Sequence, residues 1–194
     1  MGVIIDSQLS LDAHFAAVCR SGYYQLRQLR PVTGSLSADA AKTLVRAFIS
    51  SRLDYCNALL HGISYRLMRR LQSVQNATAR LITGTPRRDH ISPILRQLHW
   101  LPVRHRVTFK IAVLVFQAPA YLADDCQLTS DVHTRRLRSM DTVMCVVRRS
   151  NNTFGNWCFA SAGPRLWNRL PPHLRQCDSL GQFKRLHKTH LFGS

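Results

Sequence analysis

The chain has 194 residues, 45% of them apolar, and sets 27 Lys and Arg against 10 acids for a formal charge of +17. That length allows one or two domains, and the composition excludes wholesale disorder and a neutral surface, which makes a polyanion the first partner to test. The bases are 23 Arg and 4 Lys and every acid is Asp, a bias that favours bidentate phosphate contact and removes any mechanism needing a catalytic Glu from this chain. In chain order, Gly-Val-Ile-Ile at 2–5 predicts a short apolar strand with no hairpin partner after it. Ser10 predicts the cap of a helix over about 11–29, with Phe15, Val18, Cys19, Tyr23, Leu26 and Leu29 on one face and Pro31 and Gly34 as its stop. Ser37 opens a second helix whose predicted face is Ala40, Leu44, Ala47 and Phe48 and which ends by Gly62. Ser64 and Gly84 bound the clearest helix, whose apolar positions Leu67, Leu71, Val74, Thr78 and Leu81 step by four, three, four and three. Arg66, Arg69, Arg70 and Arg80 fall largely off that stripe, which fits either a solvated basic face or a face that meets phosphates.

Ser92-Pro93 predicts a short helix ending near His99, and Pro102 repeats the device for a helix over about 103–117 with Val103, Val107, Ile111 and Leu114 inward. Pro119 closes it. A polar linker over 122–141 contains Arg135-Arg136-Leu137-Arg138, and Val-Met-Cys-Val-Val at 143–147 predicts a strand followed by a turn at Arg148, Arg149, Asn151 and Asn152. A Trp- and Pro-rich stretch runs to Pro172, and an amphipathic helix over about 179–191 ends the pattern. The fold class expected is mainly α with short β elements.

Chemistry-bearing motifs are sparse. Asp124-Asp125 resembles the paired carboxylates that hold two metals in polymerases, but Tyr121 stands three residues before the pair instead of two, and Pro119 precedes it where a strand would be needed. A surface acid pair is the better reading. Cys158, Cys177, His187 and His190 could be written as a zinc set, yet no Cys-x2–4-Cys pair exists. There is no Gly-x-Ser-x-Gly elbow and no phosphate-binding Walker loop, so neither a metal nor a cofactor is expected. Trp100, Trp157 and Trp167 could stack on bases, but Trp100 and Trp167 lie beside Leu and near Pro at helix boundaries, which favours packing. Charge is spread evenly, 13 basic and 5 acidic residues in 1–97 against 14 and 5 in 98–194, so a basic tail on a neutral domain is excluded. No apolar run approaches the roughly 18 residues of a membrane span, and the N-terminus lacks the zones of a secretory signal. With six scattered cysteines, at 19, 56, 126, 145, 158 and 177, the chain reads as an intracellular protein, nuclear or cytoplasmic, with reduced thiols and no membrane partner.

Several runs carry a likeness that composition does not. SRLDYCNALLHGI at 51–63, RRLQSVQNATARLITGT at 69–85 and DHISPILRQLHWLPVRHRVTFKI at 89–111 resemble the region after the polymerase core in reverse transcriptases of LINE-type (non-LTR) retrotransposons. SAGPRLWNRLPPHLR at 161–175 and SLGQFKRLHKTHLF at 179–192 continue the likeness in the same order, nearly end to end. The resemblance implies four regions: residues 1–9 as a strand that follows the catalytic palm, with Met1 where the family has Leu, 10–85 as a helical thumb, 86–121 as a helical extension, and 122–194 as a C-terminal extension with short strands and a terminal helix. The shortened passage from Phe116-Gln117-Ala118 into Pro119-Ala120-Tyr121-Leu122 departs from the family. The family's metal-binding aspartates belong to the palm, so the resemblance implies a remnant without polymerase activity that at most holds the backbone of RNA or DNA, as a thumb holds a template–primer duplex, without sequence preference. Arg66, Arg69, Arg70 and Arg80 would carry that contact, with Arg87, Arg88, Arg104 and Arg106 as further candidates. Two alternatives remain open at this point: a part of an active RNA-directed DNA polymerase polypeptide, and a domesticated module that binds another protein.

Overall fold

The computed structural model describes residues 2–7, 11–132, 143–148 and 153–193, and the chain divides into two compact units, Met1–Arg106 and Val107–Ser194. The chain is mainly helical, as its periodicity predicts. The predicted cap Ser10, the Arg135–Arg138 run, Arg149 and the Asn151-Asn152 turn lie outside the described residues.

In the first unit α1 spans Asp12–Thr33 and buries Phe15, Cys19, Gly22, Leu26 and Leu29. It runs through Pro31, where the sequence predicted a stop; this close to the end the ring removes one i→i−4 bond and ends the helix two residues later instead of at once. Tyr23, expected inward, is 45% exposed. Next, α2 (Ala38–Val45) is capped by Ser37, whose side chain accepts from the Ala40 amide, and leads through a π-turn (Arg46–Ser50) into α3 (Ser51–Asp54). Ala41, Val45, Ile49 and Leu53 are buried along this run, while Phe48, predicted as core, is 43% exposed. Steps of four gain about 40° per step on an ideal α-helix. The wider π-turn takes that drift back and keeps the four side chains on one face.

A 3-10 turn at Asn57–Leu60 precedes α4 (Tyr65–Thr83), whose ends are those the sequence predicts. The Ser64 side chain accepts from the Leu67 amide, and Gly84 takes the left-handed conformation, φ 67°, that closes the helix. Leu67, Leu71, Val74 and Thr78 are buried, and so is Gln75. Gln75 Nε2 donates to the Leu101 carbonyl at 2.8 Å, and Gln72 Oε1 accepts from the Val103 amide at 2.8 Å. The two glutamines thereby satisfy the backbone at the start of α6 (Val103–Gln117), where Pro102 offers no donor. Between them α5 (Ile91–Gln97) begins ahead of the predicted Ser92 cap, and Trp100 is buried beside it.

Cys19 and Arg20 share a recess with Arg70 and Ser73, and Leu26 and Arg30 share one with Ala77 and Leu81, so α1 and α4 run side by side in the same direction. A Cβ at Gly22 would sit 2.7 Å from Val74 Cγ1. The pair packs this closely only because residue 22 has no side chain.

The second unit takes up α6 and adds a 3-10 turn (Ala120–Asp125), α7 (Thr129–Val132), α8 (Thr153–Trp157), α9 (Phe159–Asn168), α10 (Pro172–Arg175) and α11 (Leu180–Gly193). Its core gathers Ala112, Val113, Val115, Trp167, Leu170, Leu174 and Phe183, with the Phe116 and Phe183 rings stacked at 4.6 Å. The two predicted strands do not form among the described residues. Ile4 donates its amide to His14 Nδ1 at 3.3 Å and no ladder follows. Residues 143–148 are extended but make one isolated antiparallel bridge, Leu128 to Cys145. Side chains take the place of a second neighbouring strand: Asn168 bonds both the amide and the carbonyl of Cys145, and Trp167 Nε1 and Arg175 Nη1 both donate to the Val143 carbonyl. The pairing that a ladder would supply is already spent on helices. The Trp- and Pro-rich stretch before Pro172 is helical as α9, which holds Pro164 within it.

His187 is fully buried on α11, between the rings of Phe109 at 5.4 Å and Phe183 at 5.3 Å, and neither ring nitrogen has a hydrogen-bond partner. Burial, with a smaller push from His190, holds its pKa down to about 4 against the ordinary 6.5.

Gly22→Ala is expected to destabilise the first unit by about 1–3 kcal/mol despite alanine's better helix propensity, and Val74→Ala in the same chain is expected to recover part of that loss. Thermal melts of the two single variants and the double variant read this directly, and additive losses would reject the Gly22–Val74 contact. For His187, the unfolded imidazole takes up its proton first as pH falls, so its contribution is fully present above about pH 6.5 and is lost toward pH 4, by up to about 3 kcal/mol. His187→Leu is expected to shrink the fall in Tm across that window, measured by circular dichroism.

Candidate nucleic-acid interface

On α4, Arg66, Arg69 and Arg70 occupy the first two turns and Arg80 the last full turn. Because α4 buries its Leu67–Leu71–Val74–Thr78 stripe, the first three stand exposed on the flank beside α1. Arg20, Arg27 and Arg30 lie on the matching flank of α1, at helical spacing with Tyr23 and Tyr24. Three neighbouring recesses of about 380, 370 and 670 Å³ follow these flanks as one basic cleft, the first lined by α4 alone and the other two by α1 and α4 together. The first holds Arg66, Arg69 and Arg70 with Tyr65, the second adds Arg20 and Arg27, and the third adds Arg30, Arg80 and Arg87. No Asp lines any of them.

The eight predicted residues have different surroundings. Arg66, Arg69 and Arg70 gather at one end of the cleft, where the Arg69 guanidinium lies 5.8 Å over the Tyr65 ring. Beneath them burial pushes the Cys19 thiol pKa up while the nearby Arg70 guanidinium pulls it the other way. Arg80 is half-buried and donates to the carbonyls of Pro86 and Asp89, at 3.4 and 3.1 Å, which folds the loop that brings Arg87 to the cleft. Arg88 is exposed, with Asp89 at 3.8 Å. Arg104 is exposed at the start of α6 and does not line the cleft. Arg106 is built into the fold: it pairs with Asp54 at 2.9 Å, donates to the Leu101 carbonyl at 3.0 Å and lies 6.0 Å over the Trp100 ring. Arg20, Arg27 and Arg30 were missed from sequence. Their 20–27–30 spacing was visible, but which flank of α1 would face α4 was not.

The cleft is electrostatically unfavourable for the isolated protein. Arg66, Arg69 and Arg70 stand at the positive end of the α4 dipole, no acid occupies its first turn, and three like charges lie one turn apart. An anion laid across them would relieve all three costs.

Asp124 and Asp125 sit in the 3-10 turn, where Arg148 donates to the Asp124 carbonyl at 2.9 Å and stands 3.6 Å from the Asp125 carboxylate. Among the described residues no three His, Cys or Asp side chains converge as a metal site. Cys158 and Cys177 bond to carbonyls of their own helical turns, and His187 is enclosed by aromatic rings. All six cysteines are free, and burial together with Cys126 raises the Cys145 thiol to about 12. Among the described residues no helix is long and apolar enough to cross a membrane. No protein family, curated protein or solved structure matches the chain.

Arg66→Glu puts an anion at the second residue of α4 and is expected to raise stability by about 0.3–1 kcal/mol at low salt while weakening polyanion binding. Paired melts and binding titrations test it. A variant that loses stability instead would show that Arg66 anchors the fold.

Proposed function

We propose that the chain binds the backbone of RNA or DNA without sequence preference, through the arginine-lined cleft between α1 and α4. The observation that carries this reading is the convergence of two basic helical flanks on one acid-free cleft, at the end of α4 where a cation is least stable on its own. Guanidinium groups on parallel walls suit phosphates, which accept two parallel N–H bonds from each. The resemblance to the thumb of LINE-type reverse transcriptases supports the same reading, because a thumb grips and does not catalyse. In this reading the 194 residues hold a nucleic acid and carry no polymerase chemistry, and Asp124 and Asp125 serve the loop they are bonded into. Arg66, Arg69, Arg70 and Arg87 act directly, Arg80 by shaping the loop, and Arg106 by holding α6 to Asp54.

Replacing Arg66, Arg69 and Arg70 together by Ala is expected to flatten the plot of log affinity against log salt by about 2–3 units, since each phosphate contact contributes about 0.7–0.9. Fluorescence anisotropy of a labelled oligonucleotide at several salt concentrations measures the slope. An unchanged slope would remove these residues from the interface.

A further inference from the structure

Phosphate binding accounts for the arginines of the cleft and leaves its tyrosines unexplained. Tyr23, Tyr24 and Tyr65 are 45%, 59% and 74% exposed, and all three stand on the walls that carry the arginines. A backbone-only site has no use for large aromatic faces in water, and an exposed ring is a cost to solubility. Two of these rings are also held in place. Tyr23 shares a hydrogen bond of 2.8 Å with Ser73 of α4, which fixes its ring across the cleft floor. Tyr65 has the Arg69 guanidinium over one face at 5.8 Å, so a flat apolar surface and a cation form one composite unit. Tyr24 follows Tyr23 on α1 and projects into the same recess as Arg20, Arg27 and Arg70.

We propose that the cleft takes single-stranded nucleic acid, with the arginines on its phosphates and with Tyr24 and Tyr65 stacked on unpaired bases. The inference rests on the proposed function and names a form of nucleic acid other than the template–primer duplex that the resemblance implies. In a duplex each base face is covered by its neighbours, so exposed tyrosine rings gain nothing from it. In a single strand those faces are free, and every base offers one, so stacking adds affinity without adding sequence preference. Alternation of cationic and aromatic side chains along a groove is the arrangement that serves both halves of a nucleotide at once. A protein ligand is the weaker fit, because a cleft lined by Arg20, Arg27, Arg66, Arg69 and Arg70 with no acid would require a partner almost as anionic as a nucleic acid.

The test compares the wild-type chain with Tyr24→Ala, Tyr65→Ala and the corresponding Phe variants, using three probes at matched salt: labelled oligothymidylate, a blunt duplex of equal length, and inorganic polyphosphate. The wild-type chain is expected to bind the single strand more tightly than the duplex. Each Ala variant is expected to lose about 5- to 100-fold on the single strand, with an unchanged salt slope and unchanged affinity for polyphosphate, while each Phe variant keeps wild-type affinity. Both tyrosines are exposed, so melting temperatures should hold. Equal affinity for duplex and single strand, or Ala variants indistinguishable from wild type, would overturn the stacking proposal. A steep salt slope that needs Arg66, Arg69 and Arg70 would in that case leave backbone binding standing. Failure of the wild-type chain to bind any of the three probes would overturn both.

Discussion

The contact between Gly22 and Val74 decides what the first unit presents to solvent. A helix pair packed through ordinary side chains on both partners sits some 8–10 Å apart at its axes, and its flanks diverge. Here the absence of a Cβ at residue 22 lets Val74, which is fully buried, press against the α1 backbone. Because α1 and α4 run the same way, each flank repeats beside the other over several turns, and Arg20 and Arg27 come to share recesses with Arg70, as Arg30 does with Arg80. Gly22 therefore lets the basic flanks of α1 and α4 come together in the two recesses they share. Glycine within a helix costs about 1 kcal/mol of propensity relative to alanine, so its place here is justified by packing.

The same unit obeys local electrostatic rules at the starts of α1 and α2 and breaks them at the start of α4 and at that of α6, where Arg104 and Arg106 stand in the first turn and Asp54 pairs with Arg106. Asp12 and Asp39 stand in the first turns of α1 and α2, where anions are favoured. The first turn of α4 has no acid, and Arg66, Arg69 and Arg70 follow one another through its opening turns. Sequences that specify a fold tend to be consistent at every level, and isolated violations concentrate where the protein meets something else. The violation in α4 coincides with the acid-free cleft, which is why the electrostatics and the geometry point to one surface.

Where signals are local, the sequence was legible. Ser64 and Gly84 bracket α4 because a hydroxyl cap and a left-handed glycine act within one turn of the helix end. Pro102 marks the start of α6 for the same reason. Burial of Trp100 and Trp167 also followed from their place beside helix boundaries. What escaped depended on partners far along the chain. The buried face of α2 and α3 lies one residue beyond the predicted one, because apolar residues at 40, 41, 44, 45, 48 and 49 allow either stripe, and the neighbours and the π-turn choose between them. A strand was expected at 143–147 from β-branched content alone, yet that segment is pinned by Asn168, Trp167 and Arg175, whose helices lie later in the chain. Nothing local to Gln72 and Gln75 marks them as partners of Val103 and Leu101, some thirty residues on.

Arginine content by itself could not separate grip from scaffold, and the separation turns on where the guanidinium donors go. A guanidinium has five N–H groups and no acceptor, so each one bonded inside the protein is withdrawn from any ligand. Arg175 is buried with donors on the Leu170 and Val143 carbonyls, Arg106 is spent on Asp54 and Leu101, and Arg148 ties the Asp124-Asp125 turn. These arginines supply carbonyls with donors that the N–H groups of a sheet would otherwise supply. Lysine could not replace them at such sites, because a single ammonium does not reach two carbonyls set apart in the fixed fork of a guanidinium. A chain with 23 Arg and 4 Lys therefore has two separable reasons for its bias, one internal and one at the α1–α4 cleft, and only the second bears on what the protein holds.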